Sequence, residues 1–239
     1  MTPRRFGICI DANDPGRVAA FWAAVLDREI EIVGEEIGLL PRTDDDLRIR
    51  FLPTEVPKTL PNPHHLHLTS RLPDDQQRTV DRLIGLGARH LDVGQRPEED
   101  HIVLGDPEGN ELCVIPAGNG WLAGTEFLGE VAADGSRETG VFWSAALGWP
   151  LVWDQDGETA VATPSGSAKV AWGGPPPVPR GPRDRFRFDL IVPEDTEPAD
   201  EIRRLEQVGA RLVAELGGDG RWARMTDPDA YEFEVLAAR

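Results

Sequence analysis

The chain has 239 residues, of which 40% are hydrophobic, and carries a formal net charge of −17. Such a charge argues against a nucleic-acid partner, because binding a phosphate backbone requires a surface rich in lysine and arginine. No apolar run approaches the ~20 residues of a membrane-spanning helix, so no membrane association is expected. Cys9 and Cys113 lie in apolar, strand-like runs. This placement is typical of free buried thiols, and it favours a cytoplasmic location over a disulfide-forming compartment.

The sequence contains one pattern twice. Phe21–Leu26 returns as Phe142–Leu147 and Asp106–Glu111 returns as Asp227–Glu232, in both cases 121 positions later. Matches at one spacing and in one order indicate a tandem duplication. The predicted division is a first domain over residues 1–118, a glycine-rich linker over 119–124 and a second domain over 125–239.

Each half is predicted to contain two smaller units, in which a strand is followed by a helix and further strands. In the first half, Asp14 and Pro15 provide an N-cap and a first-turn proline for a helix. The predicted elements of this half are the strands Phe6–Ile10, Glu29–Val33 and Leu47–Leu52, then the strand His65–Thr69, a helix with Val80, Leu83 and Ile84, and the strands Ile102–Leu104 and Glu111–Ile115.

The second half repeats this plan. Its predicted elements are a helix with Thr139, Phe142, Ala146 and Leu147, the strands Leu151–Trp153, Thr159–Ala162 and Ala168–Trp172, the strand Arg185–Val192, a helix around Ile202, Leu205 and Val208, and the strand Glu232–Leu236.

A strand–helix–strands unit used four times resembles the vicinal oxygen chelate superfamily, which has the glyoxalase and bleomycin-resistance fold. The motifs that carry the resemblance are Phe21–Leu26, Gly87–Arg89 and Asp106–Cys113. The resemblance implies an α+β fold of two tandem domains, each a pair of βαβββ units that form a cupped mixed sheet with helices on the outside. It also implies cavities shared by the domains, in a monomer with pseudo-twofold domain pairing or a weak homodimer.

The resemblance can be tested against the metal ligands of the superfamily. Metal-binding members place a His or Gln in the first strand, a His in the strand that opens the second unit, and a Glu in the last strand. The matching positions fall near Gly7, on His65 and on Cys113 in the first half, and near Phe127, on Arg187 and on Glu234 in the second. Neither half keeps the full set, so the usual metal site is predicted to be broken and no cofactor is expected.

A different metal site is the alternative. His65 and His67 are two residues apart on a predicted strand, so both imidazoles face one side, and Glu111 and Cys113 share the same spacing. Two imidazoles with a carboxylate or a thiolate suit zinc or iron, and the resemblance extends the choice to manganese or nickel. The competing interpretation is a buried polar cluster in which His65 bonds Glu111 and Cys113 acts as a small apolar residue.

Charged residues of the second half form a second candidate cluster. Arg187 and Asp189 share one strand face, and Glu232 and Glu234 share another. This polar cluster predicts either structural ion pairs or an arginine that holds an anionic group of a substrate.

Aromatic residues suggest the walls of a cavity. Six of the seven tryptophans lie from Trp121 onward. The predicted cavity wall consists of His101, Trp153, Trp172 and Trp222, with packing between domains as the alternative. His64 and His90 are expected at the surface.

Two functions remain open at this point. The first is a protein that binds an aromatic or amphipathic small molecule, such as a metabolite or an antibiotic, without the usual metal site. The second is a divalent-metal-dependent lyase or dioxygenase that uses His65, His67 and Glu111. No catalytic residue is assigned in the first case.

Overall fold

The computed structural model describes residues 4–43, 46–173, 184–193, 195–217 and 221–238. Over these residues the chain forms four units, each with one helix and four strands. Unit 1 contains β1 (Arg5–Ala12), α1 (Pro15–Leu26), β2 (Ile30–Val33), β3 (Glu36–Leu39) and β4 (Arg48–Pro53). Unit 2 contains β5 (His64–Leu68), α2 (Asp75–Gly85), β6 (Arg89–His90), β7 (Ile102–Gly105) and β8 (Glu111–Val114).

The second half of the chain supplies the other two units. Unit 3 contains β9 (Leu128–Asp134), α3 (Arg137–Leu147), β10 (Leu151–Gln155), β11 (Glu158–Ala162) and β12 (Lys169–Gly173). Unit 4 contains β13 (Phe186–Val192), α4 (Pro198–Gln207), β14 (Arg211–Glu215), β15 (Arg221–Thr226) and β16 (Glu232–Ala237). The predicted helices and their order along the chain are confirmed.

The units combine into two eight-stranded mixed sheets. The first sheet joins units 4 and 1 in the order β14-β15-β16-β13-β1-β4-β3-β2, and the second joins units 3 and 2 in the order β10-β11-β12-β9-β5-β8-β7-β6. At both junctions the opening strands of two units pair antiparallel, β1 with β13 and β5 with β9. The predicted α+β class and the four strand–helix–strands units are confirmed. Each sheet, however, takes one unit from each half, so both halves build every concave face.

Local sequence explains where the helices form. The side chain of Asp14 accepts a hydrogen bond from the Arg17 amide, and Pro15 occupies the first turn, as predicted for α1. Trp22 on α1 and Trp143 on α3 are buried in one hydrophobic core that spans both sheets. The apolar stripe of each helix is therefore the surface that packs onto its sheet.

The two repeated motifs contact each other. The indole of Trp22 donates to Asp106 Oδ2 at 3.2 Å, and the indole of Trp143 donates to Asp227 Oδ2 at 3.4 Å. In each case the helix belongs to one sheet and the Asp-Pro turn to the other. The Phe-Trp and Asp-Pro motifs thus connect the sheets, which gives a physical reason for their recurrence.

The cysteines and the lengths of the helices bear on the expectations from composition. Cys9 and Cys113 are both free and buried. No helix among the described residues combines the length and the apolar character needed to cross a membrane.

Candidate functional site

The candidate site lies on the face of the second sheet that points away from the helices, which we call the second cup. Leu66 and Leu68 of β5 face the core, so the alternating residues His65 and His67 face this cup. β5 lies between β8 and β9, and His67 is the partner of Cys113 on one side and of Glu130 on the other. The sheet register therefore brings side chains from both halves to one point.

The two imidazoles contact each other through equivalent nitrogens. His67 Nε2 lies 3.0 Å from His65 Nε2, and His67 Nδ1 lies 2.7 Å from Glu130 Oε2. The indole of Trp121 donates to the other carboxylate oxygen, Glu130 Oε1, at 2.5 Å. A continuous chain of hydrogen bonds thus runs from Trp121 through Glu130 and His67 to His65.

The environment separates the two imidazoles electrostatically. Burial, together with the nearby His67 and His101, lowers the pKa of His65 to about 3. Burial alone would also lower the pKa of His67, but hydrogen bonds to Cys113 and Glu130 outweigh it and raise the pKa to about 9. In the absence of an ion, His67 is therefore a cation paired with Glu130, and His65 is neutral.

These residues include a set of potential metal donors. The ligand atoms of His65, His67 and Cys113 all lie within 4.8 Å of one another. Glu111, which the sequence placed with them, is occupied elsewhere. Its carboxylate accepts hydrogen bonds from Lys58 Nζ at 2.6 Å and from the Asn62 amide at 3.2 Å. The donor set of this cluster is thus two imidazoles and one thiol.

The set fits a zinc-like ion. Zinc–nitrogen bonds of about 2.0–2.1 Å in a tetrahedral site separate two imidazole nitrogens by about 3.3 Å. The 3.0 Å separation of the two Nε2 atoms is close to this value. The hydrogen bond to Glu130 holds the proton of His67 on Nδ1 and leaves Nε2 to face the ligand position, as carboxylates do behind metal-bound histidines.

A cavity of about 500 Å³ opens above this cluster. Trp121 and Trp153 line it and meet edge to face, with ring centroids 5.6 Å apart. His101, which the sequence assigned to the cavity wall, lines it as well. Aromatic walls with a few convergent polar groups are typical of sites for organic ligands.

The two remaining predicted wall residues, Trp172 and Trp222, have their rings packed against the core. The ring of Trp172 is 1% exposed and stacks on Trp143 of α3, so it belongs to the core even though the residue borders the cavity. Trp222 lies on β15 of the first sheet, where it packs against the core at partial exposure. The alternation of strand residues explains Trp172, because its neighbour Ala171 takes the position that faces the cup.

The polar cluster predicted in the second half belongs to the equivalent face of the first sheet, the first cup. Arg187 donates to both oxygens of Asp11, at 2.7 and 2.8 Å. Asp189 accepts hydrogen bonds from Arg50 Nε at 2.7 Å and from Arg50 Nη2 at 2.8 Å. Arg50 Nη2 also donates to Glu234 at 2.9 Å. The arginines and acids of this cup are paired with one another across the two halves.

Burial and pairing compete in the first cup. Burial alone would lower the pKa of Arg50, but the carboxylates of Asp189 and Glu234 outweigh it and raise the pKa. The volume left free is about 70 Å³. Glu232 stands apart, with Arg224 Nε at 3.9 Å as its nearest charged group among those described. The ion-pair interpretation describes this cup, although Arg50 and Asp11 were not predicted to take part.

Glu130 and Trp121 are the site residues that sequence reasoning missed. The first-strand ligand position was placed near Phe127, three residues before Glu130. A signal was present, because Glu130 is an acid flanked by apolar residues in the strand Leu128–Asp134 and lies 121 positions after Cys9. Trp121 falls in the predicted linker, where nothing in the pattern indicates a contact with the site.

Comparisons with known proteins agree with this architecture. The family model described as a glyoxalase-like domain matches the chain twice, over residues 7–115 and 130–236. The chain belongs to the glyoxalase-like domain family. A search of curated proteins finds no match to this glyoxalase-like chain.

Solved structures similar to this glyoxalase-like chain include two that span nearly all of it. Glyoxalase I from Zea mays is 13% identical with a TM-score of 0.67, and the match covers 98% of this chain and 92% of that one. A putative dioxygenase from Bacillus subtilis is 13% identical with a TM-score of 0.62, and the match covers 97% of this chain and 84% of that one. At these identities the likeness shows a shared fold.

Proposed function

We propose that this glyoxalase-like chain binds a small aromatic or amphipathic molecule in the second cup, beside a divalent metal ion held by His65, His67 and Cys113. The observation that carries the proposal is the 3.0 Å separation of the two Nε2 atoms, with His67 Nδ1 anchored on Glu130. Zinc, iron, manganese and nickel all accept imidazole nitrogen, and the thiolate favours zinc or iron.

Different residues of the site would bind the ion and orient the ligand. His65, His67 and Cys113 supply three donors, so a tetrahedral ion keeps one position open toward the cavity. When bound, such an ion polarises an oxygen of the ligand. Trp121 and Trp153 exclude water from one side of the cavity and orient a planar ligand. This arrangement supports a metal-dependent lyase or dioxygenase more directly than the donor set that included Glu111.

Elemental mass spectrometry of tag-free protein purified without chelators tests the metal. We expect about one ion per chain in the wild type and loss of this ion in His65→Ala. His90→Ala is the matched control, because His90 is exposed on β6 and outside the cluster. Absence of bound metal, together with no thermal stabilisation when the four metals are added back, would refute the metal site.

A metal-free binding protein is the second candidate, and one observation favours it. Glu130 and His67 already have hydrogen-bond partners in Trp121 and His65, so the floor of the cavity is satisfied without an ion. In this case Trp153, which is 36% exposed at the cavity, still reports on the ligand. Ligands that leave the tryptophan emission unchanged would argue against an aromatic-lined cavity.

A further inference from the structure

We infer that Trp121, which lies between the two matched halves of the chain, is a positioning residue of the metal site, because its indole fixes the carboxylate that orients His67. The inference rests on the metal site proposed above. It adds a residue that acts on the ion through two other side chains, Glu130 and His67.

The carboxylate of Glu130 is held by one hydrogen bond at each oxygen. Oε2 lies 2.7 Å from His67 Nδ1, and Oε1 accepts the indole N–H of Trp121 at 2.5 Å. The last torsion of a glutamate side chain is soft, so a single contact would leave the plane of the carboxylate loosely defined. The second donor fixes that plane, and with it the direction in which the carboxylate holds the His67 ring.

Trp121 is itself fixed by a lysine. The ammonium of Lys169 donates to the Trp121 carbonyl and lies 4.0 Å from the centroid of the Trp121 ring. This cation–π contact restrains the plane of the indole. Lys169 of β12 is the register partner of Glu130 of β9. The indole and the carboxylate that accepts its hydrogen bond are therefore held by adjacent strands of one sheet.

The segment that carries Trp121 is packed onto the sheet of the second cup. The next residue, Leu122, is buried in a small cluster with Val103, Cys113 and Ile115. Its amide donates to Asn119 Oδ1 at 3.0 Å, and its carbonyl accepts the hydroxyl of Thr125 at 2.8 Å. Two consecutive residues of this segment thus contact the surroundings of the proposed ion, Leu122 in the cluster of Cys113 and Trp121 at Glu130.

The effect of Trp121 on the ion should be smaller than the effect of Glu130. Loss of an acid behind a metal-bound histidine typically lowers metal affinity about 10–100-fold. Trp121 is one contact further from the ion, and without its N–H the carboxylate keeps its contact with His67. The expected loss is therefore about three- to tenfold.

Zinc affinity, measured by competition with a chromogenic chelator, tests the inference. Trp121→Phe keeps an aromatic ring in the cavity wall and removes the donor to Glu130, so it should lower the zinc affinity. Trp222→Phe is the matched control, because it makes the same exchange on β15 of the first sheet. It should leave the zinc affinity unchanged.

A double-mutant cycle separates positioning from a general loss of stability. In a Glu130→Ala background the indole has no carboxylate to hold, so Trp121→Phe should lower the zinc affinity no further. A merely structural role would give the same loss in both backgrounds. That result, or an unchanged affinity in Trp121→Phe, would overturn the inference and leave the metal site standing.

The indole resonance of Trp121 gives a second measurement on the wild-type protein. In protein labelled with nitrogen-15 tryptophan, it is the N–H signal that Trp121→Phe lacks. It should move when zinc is added, because the ion binds the ring on the other side of Glu130. A signal that stays in place while the protein binds zinc would contradict the inference. If the wild type binds no zinc, the proposed metal site fails and the inference fails with it.

Discussion

The two cups are built on one backbone plan and put to opposite uses. At equivalent positions the first cup holds Arg50, Arg187 and Glu234, and the second holds Ala171, His65 and Cys113. The first is closed by buried ion pairs and keeps about 70 Å³ free, whereas the second keeps about 500 Å³. Duplication therefore gave the fold two sites. One is filled by ion pairs between the halves, and the other keeps the volume in which we propose that a ligand binds.

The two cups differ in how strongly their residues depend on one another. A buried arginine joined to acids of another unit is tolerated only while every partner is present. The first cup thus depends on its full set of charges. Small residues such as Ala132 and Ala171 impose no such requirement, so the second cup can vary its polar groups without loss of the scaffold.

The largest expected effect is on the stability of the first cup. Replacing Arg50 by leucine leaves the buried Asp189 without its hydrogen-bonded counter-charge and leaves the buried Glu234 with only the longer salt bridge to Arg224, at 3.6 Å. We expect the free energy of unfolding to fall by about 3–5 kcal/mol, measured by urea denaturation. The further changes Asp189→Asn and Glu234→Gln should recover part of this loss. A fall of less than about 1 kcal/mol would mean that the ion pairs do not hold the halves together.

The Asp-Pro turns of the two sheets should differ in their response to pH. Burial raises the pKa of Asp227 to about 7, despite hydrogen bonds from the Tyr231 amide and the indole of Trp143. Because the folded state binds this proton more tightly than the unfolded state, stability is highest at low pH and falls as pH rises toward 7. Between about pH 5 and about pH 8 we expect wild type to lose about 2–3 kcal/mol relative to Asp227→Asn.

Asp106→Asn is the internal comparison for this measurement. Burial also raises the pKa of Asp106, but the side-chain amide of Asn110 donates to its Oδ2 at 2.8 Å and opposes the shift. Tyr231 stands at the position of Asn110 in the second copy, 121 residues later. We therefore expect a smaller pH-dependent difference for Asp106→Asn. Equal slopes for the two variants would contradict this account of the turns.

Metal binding in the second cup can be weakened by a substitution outside the three proposed metal-binding residues. Glu130→Gln removes the carboxylate that fixes His67 Nδ1–H. We expect zinc affinity to fall about 10–100-fold, as for other acids behind metal-bound histidines. Nitrogen-15 NMR of the metal-free protein above about pH 10, where the neutral His67 ring carries a single proton, should show that this ring loses its preference for a proton on Nδ1. Unchanged affinity and an unchanged tautomer would show that Glu130 has no positioning role.

The periodicity of the sequence predicted the units of the fold, whereas the sharing of cavities between the halves was expected only from the resemblance, without the strands that pair. Periodicity shows that Trp22 and Trp143 face a sheet, and both are buried as expected. Periodicity does not show which opening strands pair with each other, because the edge of β1 offers the same backbone hydrogen bonds to any partner strand. Pairing of β1 with β13 and of β5 with β9 is a property of the assembled backbone.

The candidate site was predicted in part for the same reason. Spacing alone placed His65 and His67 on one face, since alternation is a local property. The same alternation predicts that the side chain of His64, next to His65 on the strand, faces the core. His64 was expected at the surface but is 2% exposed and stacks on Phe188. The contact of Glu130 with His67 and the ion pair of Glu111 with Lys58, which keeps Glu111 away from the cluster, both join distant segments of the chain. A local pattern does not encode such contacts.

The smallest expected effect on stability is that of a substitution at Ala171, the position in the second cup that matches Arg50 in the first. Ala171→Leu introduces at position 171 the same residue that Arg50→Leu introduces at its equivalent, 121 positions earlier. Ala171 faces an open cavity, so the larger side chain meets solvent and not a packed core. We expect a change in unfolding free energy within about 0.5 kcal/mol. Binding of a small aromatic ligand in the second cup, followed by tryptophan emission, should nevertheless be lost, because the leucine fills the floor on which that ligand would rest. A large loss of stability in Ala171→Leu would show that the second cup is as tightly packed as the first, and the division of roles between the cups would then fail.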